Sequence, residues 1–304
     1  MPYDSIVCVK QVPDTANVTA EAMKEDGTVN RAALPTIFNP EDLHALETAL
    51  EVRDQYGGTV TVLSMGPPKA ADVLRDCLFR GADRAILLTD RRAAASDTLA
   101  TSYILSQAIR TIGRYDFVFC GRQAIDGDTA QVGPQCAEKL GIPQVTYLEE
   151  IVGLNLGEVQ IRRNMGHGWE IVQVRLPVLV TVIQSANEPR PPAARRVMRL
   201  KRARVPAEIA SEVKGAMPAA SEPELAAETE RRLAALKEQG LLLEQWDLDN
   251  IHADLGRCGL AGSPTKVFRV QAIVLTKSGY TEVPANETGV RQLIHELVVD
   301  RTLG

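Results

Sequence analysis

The run Cys120-Gly121-Arg122-Gln123-Ala124-Ile125-Asp126-Gly127-Asp128-Thr129-Ala130-Gln131-Val132-Gly133-Pro134 leaves an apolar stretch, crosses a loop with two glycines and enters a helical pattern. In an open α/β sheet this is where ligands meet the carboxyl ends of strands, and the first N–H groups of the following helix attract an anion. A phosphate or pyrophosphate suits that place, held by the backbone N–H groups between Thr129 and Gly133 with help from the helix dipole. Asp128 or Thr129 can equally do no more than cap a helix beginning there. The spacing fits neither GxGxxG nor GxxxxGK[ST], so the usual dinucleotide fingerprint and the P-loop are not supported.

Two more strand ends face the same rim: Val7-Cys8-Val9-Lys10 and Ser64-Met65-Gly66-Pro67-Pro68. Their small or flexible side chains would admit an adenine, although each taken alone reads equally as packing or a turn. Thr98 and Thr101 can hydrogen-bond a ligand from the start of the next helix, unless Ser96 or Asp97 simply caps it.

The rest of the inventory excludes several chemistries. His44, His167, His252 and His295 are scattered without HExxH or other metal-ligand spacing, and no metal site is expected. There is no GxSxG elbow. The five cysteines contain no CxxC pair and read as reduced, mostly buried thiols. Binding, or electron transfer through a cofactor, is the economical remainder.

The basic stretch Arg195-Arg196-Val197-Met198-Arg199-Leu200-Lys201-Arg202-Ala203-Arg204 contains no aromatic residue. Bases would find no stacking platform there. The formal net charge of -5 also argues against nucleic acid as a partner. A solvated face, or an arm that docks on an acidic partner surface, remains.

These residues must be positioned by a sheet. The chain has 304 residues, 45% of them hydrophobic, enough for one sizeable core. It lacks an 18-residue apolar run and begins without a secretory pattern, which predicts a soluble, cytoplasmic protein with no direct membrane insertion. Strands are expected at Ser5 to Val12, Thr59 to Met65, Arg84 to Leu88, Asp116 to Cys120 and Val145 to Glu149. Their continuous apolar character is that of parallel strands covered on both faces.

Helices fall between the strands. One begins at Asn39-Pro40, with Asn39 as N-cap, and carries Leu43, Leu46 and Leu50 to Gly57-Gly58. Others run from about Ala70 to Gly81, from Ser96-Asp97-Thr98 to Gly113, and from Asp128 or Thr129. After Gly153, strands at Val159 to Arg162, Trp169 to Arg175 and Val178 to Ile183 predict antiparallel additions to the sheet edge, with a hairpin at Gly166 and Gly168. The expected fold is therefore α/β, an open and mostly parallel sheet with helices on both faces.

A boundary near residue 186 separates this 1–186 unit from an extended 187–304 arm. Within the arm, Ser221-Glu222-Pro223-Glu224 reads as a capping box opening an amphipathic helix over 221–240, with Leu225, Thr229, Leu233 and Leu236 on one face. The last 50 residues show only short possible elements.

The sequence resembles the beta subunit of electron transfer flavoprotein. The resemblance rests on Val9-Lys10-Gln11-Val12-Pro13-Asp14, on Asn39-Pro40 with Ala45-Leu46-Glu47, on Gly81-Ala82-Asp83 and on Gly121-Arg122-Gln123-Ala124-Ile125-Asp126. It extends through Leu176-Pro177-Val178-Leu179-Val180-Thr181-Val182, Asn187-Glu188-Pro189-Arg190 and Gly259-Leu260-Ala261-Gly262-Ser263-Pro264-Thr265.

What the resemblance implies is an adenine-nucleotide alpha-hydrolase-like fold and a heterodimer with an alpha subunit that holds FAD. The dimer would carry electrons between an acyl-CoA dehydrogenase, as in fatty acid beta-oxidation, and an acceptor such as ferredoxin or a membrane quinone reductase. Carried over residue by residue, the nucleotide site covers Cys8, Asn39, Pro40, Met65, Gly66, and Asp126, Gly127, Asp128, Thr129, Ala130, Gln131, Val132 and Gly133. Thr98, Thr101, Cys120, Gly121 and Arg122 border it.

In one version of the family AMP fills this site. In the other a second FAD does, takes hydride from NADH and splits the pair between acceptors by electron bifurcation. The 121–134 wording, Asp97-Thr98-Leu99-Ala100-Thr101-Ser102 and Gly141-Ile142-Pro143-Gln144-Val145-Thr146 resemble the bifurcating version. Gly127, Thr129 and Ala130 also leave room. Arg122 is placed either to lie near a flavin ring and favour its anionic reduced state or to pair with a carboxylate.

The partner-recognition loop of the family falls on Asn187, Glu188, Pro189, Arg190 and the residues that follow. Ala194 stands where the family inserts an apolar anchor such as leucine, a loss of about 1 to 2 kcal/mol of docking by area. Arg199 and Arg202 replace lysines that some members methylate. The 221–240 helix resembles an insertion relative to shorter members and predicts an added contact with the alpha subunit or a dehydrogenase. A nucleotide-binding sensor without redox work would explain the α/β half but not the arm.

Overall fold

The computed structural model describes residues 2–14, 34–265 and 282–299. Among them, nine strands form one sheet in the order β11-β5-β4-β1-β6-β10-β7-β8-β9. The strands are β1 (Ser5–Cys8), β4 (Val60–Met65), β5 (Arg84–Leu88), β6 (Phe117–Gly121), β7 (Gln144–Asn155), β8 (Glu158–Asn164), β9 (Trp169–Arg175), β10 (Val178–Val182) and β11 (Glu244–Trp246). All neighbours from β11 to β7 pair in parallel, and β7-β8-β9 is an antiparallel edge.

The parallel strands are apolar throughout because both their faces are covered. Val7, Val62, Phe117, Phe119 and Val180 point to one side, beneath α1 (Pro40–Tyr56) and α2 (Ala71–Arg80). Ile6, Leu63, Ile86, Val118 and Leu179 point to the other, beneath α3 (Thr98–Ile112) and α4 (Val132–Leu140).

Four expectations need correction. The first strand stops at Cys8, and Gln11–Pro13 turns away as β2 to pair antiparallel with β3 (Thr36–Phe38). The break falls where the Lys10 N–H leaves the ladder for the Asp42 carboxylate, 2.8 Å away. Second, Val178–Val182 is not an edge addition, since it lies parallel between β6 and β7 with all five residues buried. Third, α4 starts at Val132 rather than at Asp128 or Thr129. Asp128 (φ 49°) and Ala130 (φ 52°) adopt left-handed backbone that a right-handed helix cannot include. Fourth, the last 50 residues contain α8 (Glu287–Val299).

Beyond residue 187, α5 (Ala194–Leu200) packs on α2, and β11 adds a strand beside β5. The Arg84–Glu244 ion pair at 2.6 Å clamps that edge. The capping-box helix is α7 (Glu222–Glu238): the Glu224 carboxylate accepts from the Ser221 N–H and hydroxyl. Leu225, Leu233 and Leu236 are half-buried, and the helix packs against α6 (Pro206–Ala216). Its apolar face is thus partly spent within the chain. Among the described residues no helix is long and apolar enough to cross a membrane, and no cluster of His, Cys, Asp or Glu is arranged to hold a metal.

Candidate functional site

The carboxyl ends of β4, β1, β6 and β10 lie side by side, bringing Met65, Cys8, Gly121 and Val182 to one rim. The loop after β6 is fixed there by the first turn of α1. Asn39 occupies the N-cap position but makes no capping bond. Its amide instead donates to the Gln123 carbonyl at 2.9 Å and accepts from the Ile125 N–H at 3.1 Å. Glu41 accepts from the Gln123 N–H at 2.8 Å, and its other oxygen pairs with Arg122 at 2.8 Å. Asp42 accepts from the Lys10 N–H at 2.8 Å and the Gly121 N–H at 3.0 Å, tying the ends of β1 and β6 together.

All three side chains are buried. Burial pushes the Asp42 carboxyl up to about 7, against the opposing pull of the hydrogen bonds from Gly121, Asn39 and Lys10. Gly121 is glycine because a Cβ there would lie 2.6 Å from Asp42 Oδ1 and 2.7 Å from the Asp42 backbone nitrogen.

The loop is exposed from Gly127 to Thr129. Asp126 takes an ion pair from Lys10 at 2.7 Å, and Asp128 accepts from the Gln123 side chain at 2.7 Å rather than capping α4. The backbone N–H groups of Thr129, Ala130, Gln131, Val132 and Gly133 have no acceptor among the described residues. A Cβ built on Gly127 meets nothing within 4 Å. The local arrangement is a run of free donors at a helix N-terminus beside open space, which fits a phosphate or pyrophosphate.

Gly133 serves this arrangement from behind. Its Cβ would sit 2.8 Å from Cys120 Sγ and 3.0 Å from Thr181 Cγ2, so glycine lets α4 seat closely on β6 and β10. Thr98 donates its hydroxyl to Gln131 Oε1 at 2.8 Å, steadying the loop. Asp97 caps α3 as one of the two sequence readings had it. Thr101 is half-buried in the first turn of α3.

Cys8, Cys120 and Cys136 gather beneath the rim. Burial pushes the Cys8 and Cys120 thiols well above the ordinary range and Cys136 up to about 12. They are therefore protonated, apolar lining rather than nucleophiles. Gly66 packs closely, its Cβ position 3.0 Å from Ala70 Cβ. Beside the loop opens a cleft of about 740 Å³ lined by Glu41, Arg122, Tyr147, Met165, Gln184 and Ser185, among others. Arg122 thus both pairs with a carboxylate and faces a cavity.

An electron transfer flavoprotein domain profile matches residues 26–210. The chain belongs to the electron transfer flavoprotein family. It is 43% identical over 262 residues to the electron transfer flavoprotein subunit beta of Clostridium acetobutylicum, covering 86% of this chain and 85% of that protein. It is 42% identical over 289 residues to protein FixA of Azorhizobium caulinodans, covering 93% and 89%. It is also 43% identical over 267 residues to the acryloyl-CoA reductase electron transfer subunit gamma of Anaerotignum propionicum, covering 86% of each.

As a beta subunit of electron transfer flavoprotein, the chain has an alpha subunit as its partner. Two residues of the 187–190 segment, which the resemblance assigns to partner recognition, are turned inward. Asn187 binds His44 and Thr48, and Arg190 pairs with Glu47 at 2.9 Å and Asp54 at 2.7 Å. They fasten the segment to α1. Glu188 and Pro189 lie between those anchors, and Ala194 and Arg199 are exposed on α5.

Glu41, Asp42, Tyr147 and Met198 were missed from sequence. The first two follow Pro40 and read as ordinary first-turn acids. Met198, 68% exposed, is the projecting apolar side chain near the position where Ala194 offers only a methyl group.

Proposed function

We propose that this beta subunit holds an FAD of its own at the rim and works with its alpha subunit as a bifurcating electron carrier. Electrons would pass from NADH, and to or from an acyl-CoA dehydrogenase, toward a low-potential or quinone-linked acceptor. The observation that carries the reading is the pairing of a row of free N–H groups, Thr129 to Gly133, on a loop fixed by Asn39, Glu41 and Asp42, with the cleft of about 740 Å³ beside it.

Those N–H groups would hold the pyrophosphate. Cys8, Met65 and Gly66 would border the adenine. Arg122, with its guanidinium on Glu41, would present positive charge to the cleft, where it favours an electron-rich ring. The flavin itself supplies uptake of an electron pair and its release one electron at a time. Everything else asked of this chain is binding, orientation and charge. The names of two relatives, the acryloyl-CoA reductase electron transfer subunit and the caffeyl-CoA reductase-Etf complex subunit CarD of Acetobacterium woodii, support a CoA-ester partner for this chain as well.

AMP satisfies the same N–H row without using the cleft. The deciding experiment is the nucleotide content of the purified heterodimer after heat or acid release. Two FAD per dimer without AMP supports the bifurcating reading, to be followed by reduction with NADH. One FAD with one AMP overturns it and leaves a single-flavin shuttle. Thr129→Glu, which adds negative charge at an exposed loop position, should empty this site and spare the alpha flavin; full retention of nucleotide counts against the assignment.

A further inference from the structure

Tyr147 carries a backbone conformation that its position does not require. It lies in β7 with φ 61°. There the pairing shifts register against β8, between Leu148 and Glu150, and against β10, between Val180 and Val182. An aromatic residue in left-handed backbone is an outlier, and a bulge in a strand re-aims a side chain. Nearby Val145 and Leu148 are buried, whereas Tyr147 is 37% exposed and lines the 740 Å³ cleft.

Its surroundings hold the ring in place. The Tyr147 N–H donates to Thr181 Oγ1 at 3.1 Å. The Arg122 guanidinium stands 5.9 Å from the ring centroid, pinned by Glu41, and the Arg122 Nε is buried without an acceptor. The result is an aromatic face and a cation presented to a cavity by backbone that is strained to do so.

The cleft lies on the same rim as the N–H row. β10 and β7 follow β6 in the sheet, and Leu148 is level with Val182 at the end of β10. A dinucleotide anchored at α4 would extend its far half along this rim toward the cleft, whereas AMP has no such half.

We propose that Tyr147 is a positioning and specificity residue, its ring stacking on a planar isoalloxazine in the cleft so that the site prefers FAD to AMP. The inference rests on the reading that this subunit binds its own FAD. Stacking between aromatic faces needs only a ring, and the hydroxyl is dispensable.

The test is a titration of the nucleotide-stripped heterodimer with FAD and with AMP, for the wild type and for Tyr147→Phe, Tyr147→Leu and Tyr147→Gly. Phenylalanine should keep the FAD affinity within about twofold. Leucine and glycine should each weaken FAD about tenfold or more while leaving AMP unchanged. They should also restore fluorescence that the stacked ring quenches.

Glycine removes the φ penalty, so its melting temperature should match or exceed the wild type even as FAD binding falls. A purely structural Tyr147 would give the opposite pairing. An unchanged FAD-to-AMP ratio in both ring-less variants overturns the inference while a two-flavin wild type stands. Loss of the alpha subunit from Tyr147→Leu overturns it too, because the ring then belongs to the dimer interface. A wild type with one FAD and one AMP fails at the earlier reading, and this inference falls with it.

Discussion

Two helices start side by side at the same rim and end their first turns differently. At α3, Asp97 is extended (φ -74°, ψ -173°), and its carboxylate accepts from the Ala100 N–H at 3.0 Å and from the Thr265 N–H at 2.9 Å. The Asp97 N–H in turn donates to Ser263 Oγ at 2.8 Å, so the C-terminal segment closes over that helix end. At α4, Gln131 has helical backbone (φ -99°, ψ -30°), makes no cap, and gives its side chain to Thr98. One terminus is completed by its own protein and the other keeps its N–H groups without an acceptor among the described residues. Free N–H donors mean little until a neighbouring helix in the same setting shows that the fold can satisfy them.

The largest expected effect comes from breaking what holds the open end in place. Gly121→Val drives a side chain into Asp42 and the α1 backbone, and should cost about 3 kcal/mol in urea unfolding together with loss of the rim nucleotide. Unchanged stability would show that the α1 splint is dispensable.

Asp42→Asn should cost about 2 kcal/mol, because one amide carbonyl cannot accept from both Lys10 and Gly121. It should also flatten the pH dependence. The folded carboxyl titrates near 7 against an ordinary value near 3.8, so the fold holds an extra proton between them. That stabilisation is complete below the lower value and is lost as pH rises through the upper one. The wild-type melting temperature should therefore decline from pH 5 to pH 8 more steeply than that of Asp42→Asn.

Gln131→Asp tries to make α4 resemble α3. Its helical backbone cannot cap, so the melting temperature should barely move, while nucleotide affinity falls about tenfold from the added charge. A rise in stability would mean the open end is cappable after all. Smallest of the four, Asp97→Ala should cost about 1 kcal/mol and leave nucleotide content unchanged. Burial opposes the Asp97 charge, but hydrogen bonds from Ala100, Thr265 and Leu99 hold its carboxyl below the ordinary range overall. That contribution is present above the ordinary carboxylate value and is lost as pH falls through the folded one.

Deleting residues 221 to 240 would test α7 as an added contact, at a structural cost. It would remove a helix that packs on α6 and whose Leu225, Leu233 and Leu236 are half-buried. The better probe of partner docking is Met198→Ser on α5, read as dehydrogenase affinity. A second is the row Val290, Leu293, Ile294 and Val298 on α8, each at least 41% exposed.

The apolar strands and the capped helices were legible because each is decided locally: continuous Val, Ile, Leu and Phe for a doubly covered strand, and Asp97 before Thr98 for a helix start. The loop from Gly121 to Gly133 reads as a candidate ligand loop from its strand-to-helix pattern, for the same reason. Three elements were not. Val178–Val182 has the same composition as any buried strand, and nothing in it says that it threads between β6 and β7. Glu244–Trp246 is three residues long, too short to show a period. The start of α4 was misplaced because Asp128 and Ala130 take left-handed backbone, which residue type alone does not announce.

What the sequence determined by itself is the set of parts. It supplied a parallel α/β sheet, a helix N-terminus after a glycine loop, thiols without reactive partners, and the family those residues resemble. Only the tertiary structure decided that Asn39, Glu41 and Asp42 reach across to fasten residues 121–125 instead of serving their own helix. It also decided that Tyr147 is bent into the cleft behind Arg122. Propensity and periodicity arise between residues a few positions apart, whereas these contacts join residues 25 to 86 positions apart, and only the packed fold brings those together.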